Sequence, residues 1–465
     1  MTIQHYEGAS IASSVINTVN TVIGAGILVL PYAFRTQSII GGTFIIIFAG
    51  IANGVGMVLQ GAASKFLPQG TATFFTVCRI TYPGLSLLFD FAIFLQCFGV
   101  GVSYIVLTGD LLPLVYTFDG WDEHSMKFFY VLGSAFLVVP LCYMKKIDSL
   151  KYASIIALLA IVYIAFLIYG YFFYAIFTNY EKIPPEKLGG ISFFKPEGIK
   201  PVFKTLGVVV LAYTCPTQFS IVGELANPSM ERITNIVFIS LGIISSIFVS
   251  VGLAGYLTFG NTLSGNILLM YENNFYTQTG RALLVLMVVL SFPLMFHPAR
   301  VSFNNVCHIV TKSVVSSGTG NDVAVNSRSP LLPSNEEEHH VHLLELFEEE
   351  DVPMSNTRFF ILTVLLLGAS YTTALSLKSF ELILAVVGAT GGVLISFVLP
   401  GFYGYKLIAS DDERYTRRLY KYSPNEAQNR IFQSKLLKNV SLFLIVWGLV
   451  VMMICLWAIF LPKSI

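Results

Sequence analysis

Long apolar stretches separated by short polar ones repeat along almost the whole chain. A helix needs about 20 apolar residues to cross a bilayer, and eleven such windows can be drawn in this sequence. They cover roughly residues 10–34, 38–64, 86–116, 127–144, 150–178, 202–223, 233–259, 281–299, 358–377, 380–407 and 438–461. The pattern therefore predicts an all-α polytopic membrane protein with eleven transmembrane helices, spans one to eleven.

Composition supports a single membrane domain. The chain has 465 residues, is 55% hydrophobic and 12% charged, and its mean hydropathy is +0.71. A soluble domain has about 25% charged residues, so that class is excluded. Residues 1–310 hold spans one to eight and residues 357–465 hold spans nine to eleven. The first apolar segment lacks a basic leader and is expected to stay as span one.

Residues 311–356 interrupt the apolar pattern. They contain SSGTG, SRSPLLPS, EEEHHVH and EEED, and they are low in aromatic residues. This composition predicts a disordered cytosolic linker between spans eight and nine. Its histidines and acidic residues could bind a metal, but a solvated segment is the favoured interpretation, so no metal is expected.

Charge predicts the orientation in the membrane. Placing the N-terminus in the cytosol puts 18 of the 28 lysine and arginine residues in cytosolic loops. Cytosolic loops carry an excess of basic residues, so we expect a cytosolic N-terminus and, after eleven spans, a lumenal C-terminus. The chain has no polybasic tract, so no nucleic-acid partner is expected.

Span one contains groups that a purely lipid-facing helix would avoid. Gly24-Ala25-Gly26 lies at mid-depth, with Asn17 and Asn20 before it. An unsatisfied polar group in hydrocarbon costs several kcal/mol, on the order of a lost hydrogen bond or more. A broken helix whose backbone faces a cavity explains these residues better, and secondary transporters use such helices to hold small solutes.

Span six contains a second predicted break. Pro216 follows Thr214 and Cys215, and proline cannot donate a backbone hydrogen bond. Spans one and six are five apart, which is the spacing expected if spans one to five and six to ten form a five-plus-five inverted repeat.

The two breaks offer complementary chemistry. Free N–H groups around Gly24 to Gly26 would bind an anion such as a carboxylate. Carbonyls freed near Ala212 to Cys215 would bind an ammonium group. No charged residue is expected to face this site, so a zwitterion fits best. Helix packing or kinking alone is the competing interpretation of these glycines and of Pro216, and packing is the favoured role of residues 388–392.

Three further residues could belong to the site. Tyr104 on span three could cap the site as a gate, although such a tyrosine is more often a core aromatic. Ser291 on span eight could join Asn20 and the carbonyl of Ile23 in a cation site. His297 could titrate, but a structural role is the better interpretation. The sequence has no paired carboxylates with histidine and no nucleophile motif, so neither an enzyme nor a cofactor is expected.

Several segments resemble the amino acid/auxin permease superfamily, and within it the fungal vacuolar amino-acid transporters related to the system A/N carriers. The matching segments are NTVNTVIGAGILVLPYAF, LFDFAIFLQCFGVGVSYIVLTGDLLP, AYTCPTQFSIVGEL, GLAGYLTFGN, LSFPLMFHPAR and SFELILAVVGATGGVLISFVLPGFYGYK. The resemblance implies eleven helices in a five-plus-five repeat, with the amino acid bound between helices one and six. It also implies residence in the vacuolar membrane and proton-linked export of amino acids to the cytosol.

The resemblance assigns roles to individual positions. Thr21 and Gly24, Ala25 and Gly26 match the carboxylate-binding break, and Tyr213, Thr214 and Cys215 match the second break. Asn20 and Ser291 match the cation-site region of sodium-coupled relatives. Many relatives have histidine where this chain has Pro216, so no proton-coupling residue is assigned there.

Two functions are consistent with the sequence. The favoured one is a proton-linked vacuolar transporter of neutral amino acids such as glutamine or proline, with protons or sodium as the coupling ion. The alternative is a transporter-like amino-acid sensor that signals through the 311–356 linker.

Overall fold

The computed structural model of the chain describes residues 8–144, 151–318, 354–377 and 379–460, and these residues are predominantly helical. The helices are α1 (Ile11–Ile23), α2 (Leu30–Ser64), α3 (Phe74–Thr81), α4 (Ser86–Leu111), α5 (Glu123–Tyr143), α6 (Lys151–Phe177), α7 (Ile199–Tyr213), α8 (Gln218–Glu224), α9 (Met230–Phe259), α10 (Phe275–Gly318), α11 (Asn356–Ser376), α12 (Phe380–Val387), α13 (Leu399–Leu407), α14 (Glu413–Tyr422), α15 (Arg430–Gln433) and α16 (Lys435–Phe460). The predicted all-α class is confirmed.

The described residues form ten helices that are long and apolar enough to cross a membrane, and a shorter apolar helix, Ile11–Ile23. Helix α2 is 35 residues long and contains the last five residues of predicted span one and all of span two. Ser38 separates these two parts with φ 72° and ψ 173°, which is not a helical conformation. The number of crossings therefore depends on how this kink is placed in the bilayer, and the count of eleven stays a prediction.

Two groups of helices pack around the middle of the molecule. Helix α2 packs against α9 and α7, and α1 packs against α9. In the second group, α10 packs against α4, α5 and α6, and α11 packs against α4 and α5. Helix α12 and the π-helical segment that continues it over residues 388–398 lie between α7 and α4, so they connect the two groups.

A buried arginine ties the second group together. Arg300 on α10 is 2% exposed, and its Nη1 donates to the Cys142 carbonyl at the end of α5 and to Thr363 Oγ1 on α11, each at 3.0 Å. Its guanidinium also lies 3.9 Å from the ring centroid of Phe359. Partners on α5 and α11 stabilise this charged group, which would otherwise be costly to bury.

Helix α10 extends past two predicted boundaries. It has 44 residues and continues to Gly318, beyond the predicted end of span eight at 299 and the predicted start of the linker at 311. Where the membrane span ends and the linker begins stays a prediction. His297 lies within this helix. Residues 319–353 lie outside the described residues, and disorder of that part stays a prediction.

The basic segment between α13 and α16 folds back onto the helix ends. Tyr415 donates its hydroxyl to the Ile80 carbonyl at 3.1 Å, and Ser423 donates to the Lys65 carbonyl at 3.1 Å. Glu426 accepts from the N–H of Met230 at the start of α9, also at 3.1 Å. The segment thus joins the ends of α2, α3 and α9 at the side of the molecule where α1 begins.

Candidate functional site

The first break lies between α1 and α2. Helix α1 ends at Gly24, whose φ of 36° and ψ of −147° favour glycine because it has no side chain. Residues Gly24–Leu28 then form a short 3-10 helix, and the N–H of Val29 donates to the Gly26 carbonyl at 3.1 Å. The break is therefore a tightened turn and not an unwound chain, and the N–H groups at its start are the ones available to a ligand.

The second break lies between α7 and α8. Helix α7 ends at Tyr213 and α8 begins at Gln218, with Thr214 in extended conformation. The Gln218 N–H donates to the Cys215 carbonyl at 3.4 Å. The carbonyl of Cys215 is thus already used, and the carbonyls before it are better placed to bind a ligand. Both predicted breaks, in helices one and six, are confirmed.

The two breaks contact each other. A Cβ added at Gly26 would lie 3.1 Å from the Cβ and 3.3 Å from the Cα of Ala212. Beside this contact lies a cavity of about 90 Å³. The cavity is lined from α1 and the first break by Thr21, Val22, Gly24 and Gly26, from α4 by Gln96, Val100, Ser103 and Tyr104, from α7 and the second break by Val208, Leu211, Ala212, Thr214 and Pro216, and by Met295 and Leu384.

The structure brings together most of the predicted ligand residues. Thr21, Gly24, Gly26, Tyr104 and Thr214 all line this one cavity. Ala25 lies in the same 3-10 turn. Tyr104 therefore contributes to the cavity wall, whereas its predicted role as a gate stays a prediction.

Two predicted ligand residues are directed elsewhere. The Tyr213 hydroxyl lies 2.8 Å from Ser245 Oγ, and its ring packs edge-on against Phe248, so it faces α9. The Cys215 Sγ lies 3.8 Å from Thr217 Oγ1. Neither residue is among those that line the cavity. Their side chains therefore point away from the cavity, and ligand binding through their main-chain carbonyls stays a prediction.

The predicted cation site is less defined by the geometry. Ile23 is 3% exposed, at the end of α1. Asn20 and Ser291 are both partly buried, on α1 and α10 respectively. Met295, one turn after Ser291, lines the cavity, so α10 does border the site. Ion binding by these three residues stays a prediction.

The sequence did not reveal several wall residues. Gln96, Val100 and Ser103 precede Tyr104 at helical spacing, so one face of α4 forms a wall of the cavity. Gln96 carried a usable signal, because an amide inside an apolar span is expected to have a role. Leu384 carried none, since an apolar residue in an apolar helix does not indicate which neighbour it faces.

Uncharged groups alone line the cavity within the described part of the chain. Electrostatics at the site therefore come from hydroxyls, amides, and the backbone dipoles at the two helix breaks. Helix ends present partial charges of either sign. A ligand that carries both charges close together suits such a site better than one with a net charge.

A polar stripe on α1 connects the cavity to the N-terminal end of that helix. Ser13, Asn17 and Thr21 follow each other at four-residue spacing, and all three are exposed. The other face of α1 packs against α9 and α8. A polar path therefore runs from the start of α1 to the first break.

The loop between α9 and α10 contacts two other helices. Arg35 donates from Nη1 to the Leu263 carbonyl at 2.6 Å, and from Nη2 to Glu197 at 3.0 Å. A Cβ added at Gly265 would lie 2.6 Å from the carboxyl carbon of Glu381. The loop between α9 and α10 is thus held against both α2 and α12.

The glycines of residues 388–392 serve close helix packing. A Cβ at Gly388 would lie 1.9 Å from the Gly207 carbonyl oxygen, and one at Gly391 would lie 2.7 Å from the Gln96 nitrogen. The segment therefore presses directly against both α7 and α4, behind the cavity. This agrees with the packing role predicted for it.

Comparisons with known proteins cover the whole described fold. The sequence profile of the family described as transmembrane amino acid transporter protein matches residues 7–461. The chain is 35% identical to vacuolar amino acid transporter 6 of Saccharomyces cerevisiae, over 97% of this chain and 98% of that protein. It is 33% identical to vacuolar amino acid transporter 7 of the same yeast, over 98% and 99%. Among solved structures, the inward-facing conformation of Mhp1 is similar in fold, with a TM-score of 0.53 and 14% identity over 97% of this chain and 92% of that one.

Proposed function

Because this chain belongs to the transmembrane amino acid transporter family, we propose that it moves neutral amino acids across the vacuolar membrane by proton-coupled export to the cytosol. The observation that carries the proposal is the uncharged cavity between the two helix breaks. Its two helix breaks offer N–H groups for a carboxylate and carbonyls for an ammonium. The described residues that line it include no charged acid or base for catalysis.

The substrate binds with its two charged ends at the two breaks. Its carboxylate accepts from the N–H groups at the start of the 3-10 turn at Gly24, where the end of a broken helix favours negative charge. Its ammonium donates to main-chain carbonyls just before Cys215. Because Gly26 contacts Ala212, these positions are close enough for the α-carbon of one amino acid to join them.

Neutral selectivity follows from the wall that receives the side chain. Val100, Met295 and Leu384 are apolar, and no charged group among the described cavity residues could balance a charged side chain. Burying an unpaired charge is far more costly than burying an apolar or hydrogen-bonding side chain. Lysine, arginine, aspartate and glutamate are therefore poor substrates.

Vacuolar residence is supported by the names of the two yeast relatives, which match nearly the full chain. The excess of basic residues in the predicted cytosolic loops supports a cytosolic N-terminus and a lumenal C-terminus. In this orientation the polar stripe of α1 opens toward the cytosol, which is the direction in which an exporter from the vacuole releases its substrate.

Coupling to an ion is the finer part of the proposal. Protons are favoured for a vacuolar carrier, and Asn20, Ser291 and the Ile23 carbonyl form the candidate cation site if sodium takes their place. A pH gradient and a sodium gradient can be imposed separately on the same liposomes, so proton coupling and sodium coupling can be distinguished in one preparation.

Reconstitution of the purified full chain in liposomes tests the proposed function. Labelled glutamine, proline, lysine and glutamate are supplied inside acidified liposomes, and efflux is followed with and without a protonophore. We expect efflux of the neutral amino acids, accelerated by the acidic interior and slowed by the protonophore. Absence of transport of all four amino acids would refute the proposal. Transport of lysine and glutamate at the same rate as glutamine and proline would also refute it.

A further inference from the structure

The cavity contains one buried acceptor that the proposed binding mode leaves unused. Gln96 on α4 is 3% exposed and lines the cavity. Its Oε1 is buried, and none of the described residues donates a hydrogen bond to it. Buried amide oxygens are nearly always paired, so an orphaned one in a ligand cavity needs an explanation.

Two other side-chain oxygens near Gln96 donate to partners within the protein. Thr214 Oγ1 donates to the Val210 carbonyl at 3.0 Å and lies 3.0 Å from Ser396 Oγ. Ser103 Oγ donates to the Val100 carbonyl at 2.7 Å. Of the described residues that line the cavity, Gln96 alone has a buried side-chain oxygen without a hydrogen-bond partner.

The surrounding packing holds the Gln96 main chain in place. A Cβ at Gly391 would lie 2.7 Å from the Gln96 nitrogen and 2.8 Å from its Cα, so the π-helical segment presses on this residue. A Cβ at Gly392 would lie 3.4 Å from Thr214 Oγ1 and 3.7 Å from Gln96 Oε1. Glycine at 392 thus leaves space beside the amide. The position of the Gln96 amide is thus fixed before a substrate binds, which favours specific recognition.

In the proposed function, on which this inference rests, the helix breaks bind the charged ends of the substrate, which leaves Gln96 to meet its side chain. Gln96 belongs to α4, in the second helix group, and shares its face with Val100 and Tyr104. A substrate side chain that reaches this wall meets Val100 and the ring of Tyr104 together with the unpaired Gln96 oxygen.

We propose that Gln96 is a specificity-determining residue that selects neutral amino acids whose side chain donates a hydrogen bond. Asparagine, glutamine, threonine and serine satisfy its Oε1. An aliphatic side chain of the same size leaves that oxygen buried and unpaired. The penalty is a factor of about 10 to 100 in relative transport, because a buried polar group loses its partner.

The test uses pairs of amino acids of nearly equal shape. Threonine is compared with valine and asparagine with leucine, as labelled substrates of the full chain in liposomes. Wild-type protein is expected to transport the donor of each pair about 10 to 100 times faster. Gln96→Leu is expected to bring both ratios to about 1, within a factor of three, while transport of valine and leucine is retained.

A matched control separates recognition from general loss of a buried amide. Gln60 on α2 is 2% exposed, and its Nε2 donates to the Ile395 carbonyl at 3.2 Å, outside the cavity. Gln60→Leu should leave both transport ratios at the wild-type values.

A conservative second variant, Gln96→Glu, keeps the acceptor and the volume of the side chain. It should still transport threonine faster than valine and should gain transport of lysine.

The outcomes distinguish this inference from the function on which it rests. Unchanged ratios in Gln96→Leu, or an equal change in Gln60→Leu, would overturn the role of Gln96 while amino-acid transport stands. If Gln96→Leu does not fold, loss of the threonine preference in Gln96→Glu would overturn it. Absence of transport by the wild type would overturn the proposed function, and with it the inference.

Discussion

Gly26 and Ala212 lie in direct contact, because a Cβ on the glycine would lie 3.1 Å from the Cβ of the alanine. One residue belongs to the break in helix one and the other to the end of α7, just before the break in helix six. The contact requires glycine on one side and a small residue on the other. It brings N–H groups and carbonyls from two chain segments to one place in an otherwise apolar molecule.

Gly24→Ala is predicted to weaken substrate binding with little effect on packing. No atom lies within 4 Å of an added Cβ, but a residue with a side chain rarely adopts the Gly24 φ of 36°. Forcing that conformation costs about 1–3 kcal/mol, so the break shifts and the N–H groups move. We expect apparent affinity for glutamine, measured by uptake at increasing concentration, to fall about tenfold. Gly133→Ala, at an exposed and open position of α5, is the control; equal affinities in the two variants would contradict the prediction.

Gly388→Ala is predicted to destabilise the protein. The added Cβ would lie 1.9 Å from the Gly207 carbonyl oxygen, a main-chain atom that cannot move aside cheaply. Overpacking of this kind costs about 1–3 kcal/mol, so the thermal unfolding midpoint in detergent should fall. Gly368→Ala on α11 has nothing within 4 Å of its Cβ and should be neutral or slightly stabilising. A wild-type midpoint for Gly388→Ala would show that this helix contact can relax.

Arg35→Gln is predicted to slow transport more than Glu197→Gln. The arginine donates both to the Leu263 carbonyl at 2.6 Å and to Glu197 at 3.0 Å. The ion pair is partly exposed and contributes at most about 1 kcal/mol. Glu197→Gln keeps the bond to the loop carbonyl, so its uptake rate should stay within about twofold of wild type. Arg35→Gln loses the hold on the loop, and its rate should fall severalfold; equal rates would mean that the loop contact does not matter.

The free energy of unfolding is predicted to rise with pH because of the buried ammonium of Lys65. Burial lowers the pKa of the Lys65 ammonium from 10.5 to about 8, and the Glu426 carboxylate opposes this shift. Between these two values the unfolded chain binds the proton and the folded chain does not, so the free energy of unfolding increases as pH rises through that window. Below pH 8 both states are protonated and the contribution is constant.

Thermal unfolding midpoints at pH 7 to 10 test the effect of Lys65. The wild type is expected to gain stability relative to Lys65→Met as pH rises from about 8 to 10. Lys421→Met, at an exposed lysine of α14, should follow the wild-type curve. A constant difference in unfolding midpoint between wild type and Lys65→Met across this pH range would contradict the lowered pKa of Lys65.

The helix breaks were predictable from sequence because their signals are local. Gly24, Gly26 and Pro216 each restrict or free the backbone at their own position, whatever surrounds them. The sequence gives no sign of the kink at Ser38, because a serine φ of 72° is set by tertiary contacts and not by the residue type. Helix α10 runs past the predicted span eight because a polar sequence can continue a helix beyond the apolar part.

Orientation of side chains within the site was the harder part. Tyr213 and Cys215 adjoin the break as predicted, but their side chains contact Ser245 and Thr217 instead of lining the cavity. Tyr213 is the last residue of α7 and Cys215 lies in the turn that follows, so no single period tells which of the two faces inward. Gln96 was missed for the opposite reason. It lies on a regular helix, but the cavity that it lines is completed by four other segments of the chain.

Equilibrium binding of labelled glutamine to the purified full chain tests the central claim most directly. The side chain in Gly26→Leu would occupy the space against Ala212 where the two breaks meet, whereas Gly133→Leu adds the same side chain at an open position. We predict saturable binding to wild type and to Gly133→Leu, and none to a Gly26→Leu protein that remains monodisperse and folded. Binding to Gly26→Leu with wild-type affinity would contradict a substrate site between the helix breaks.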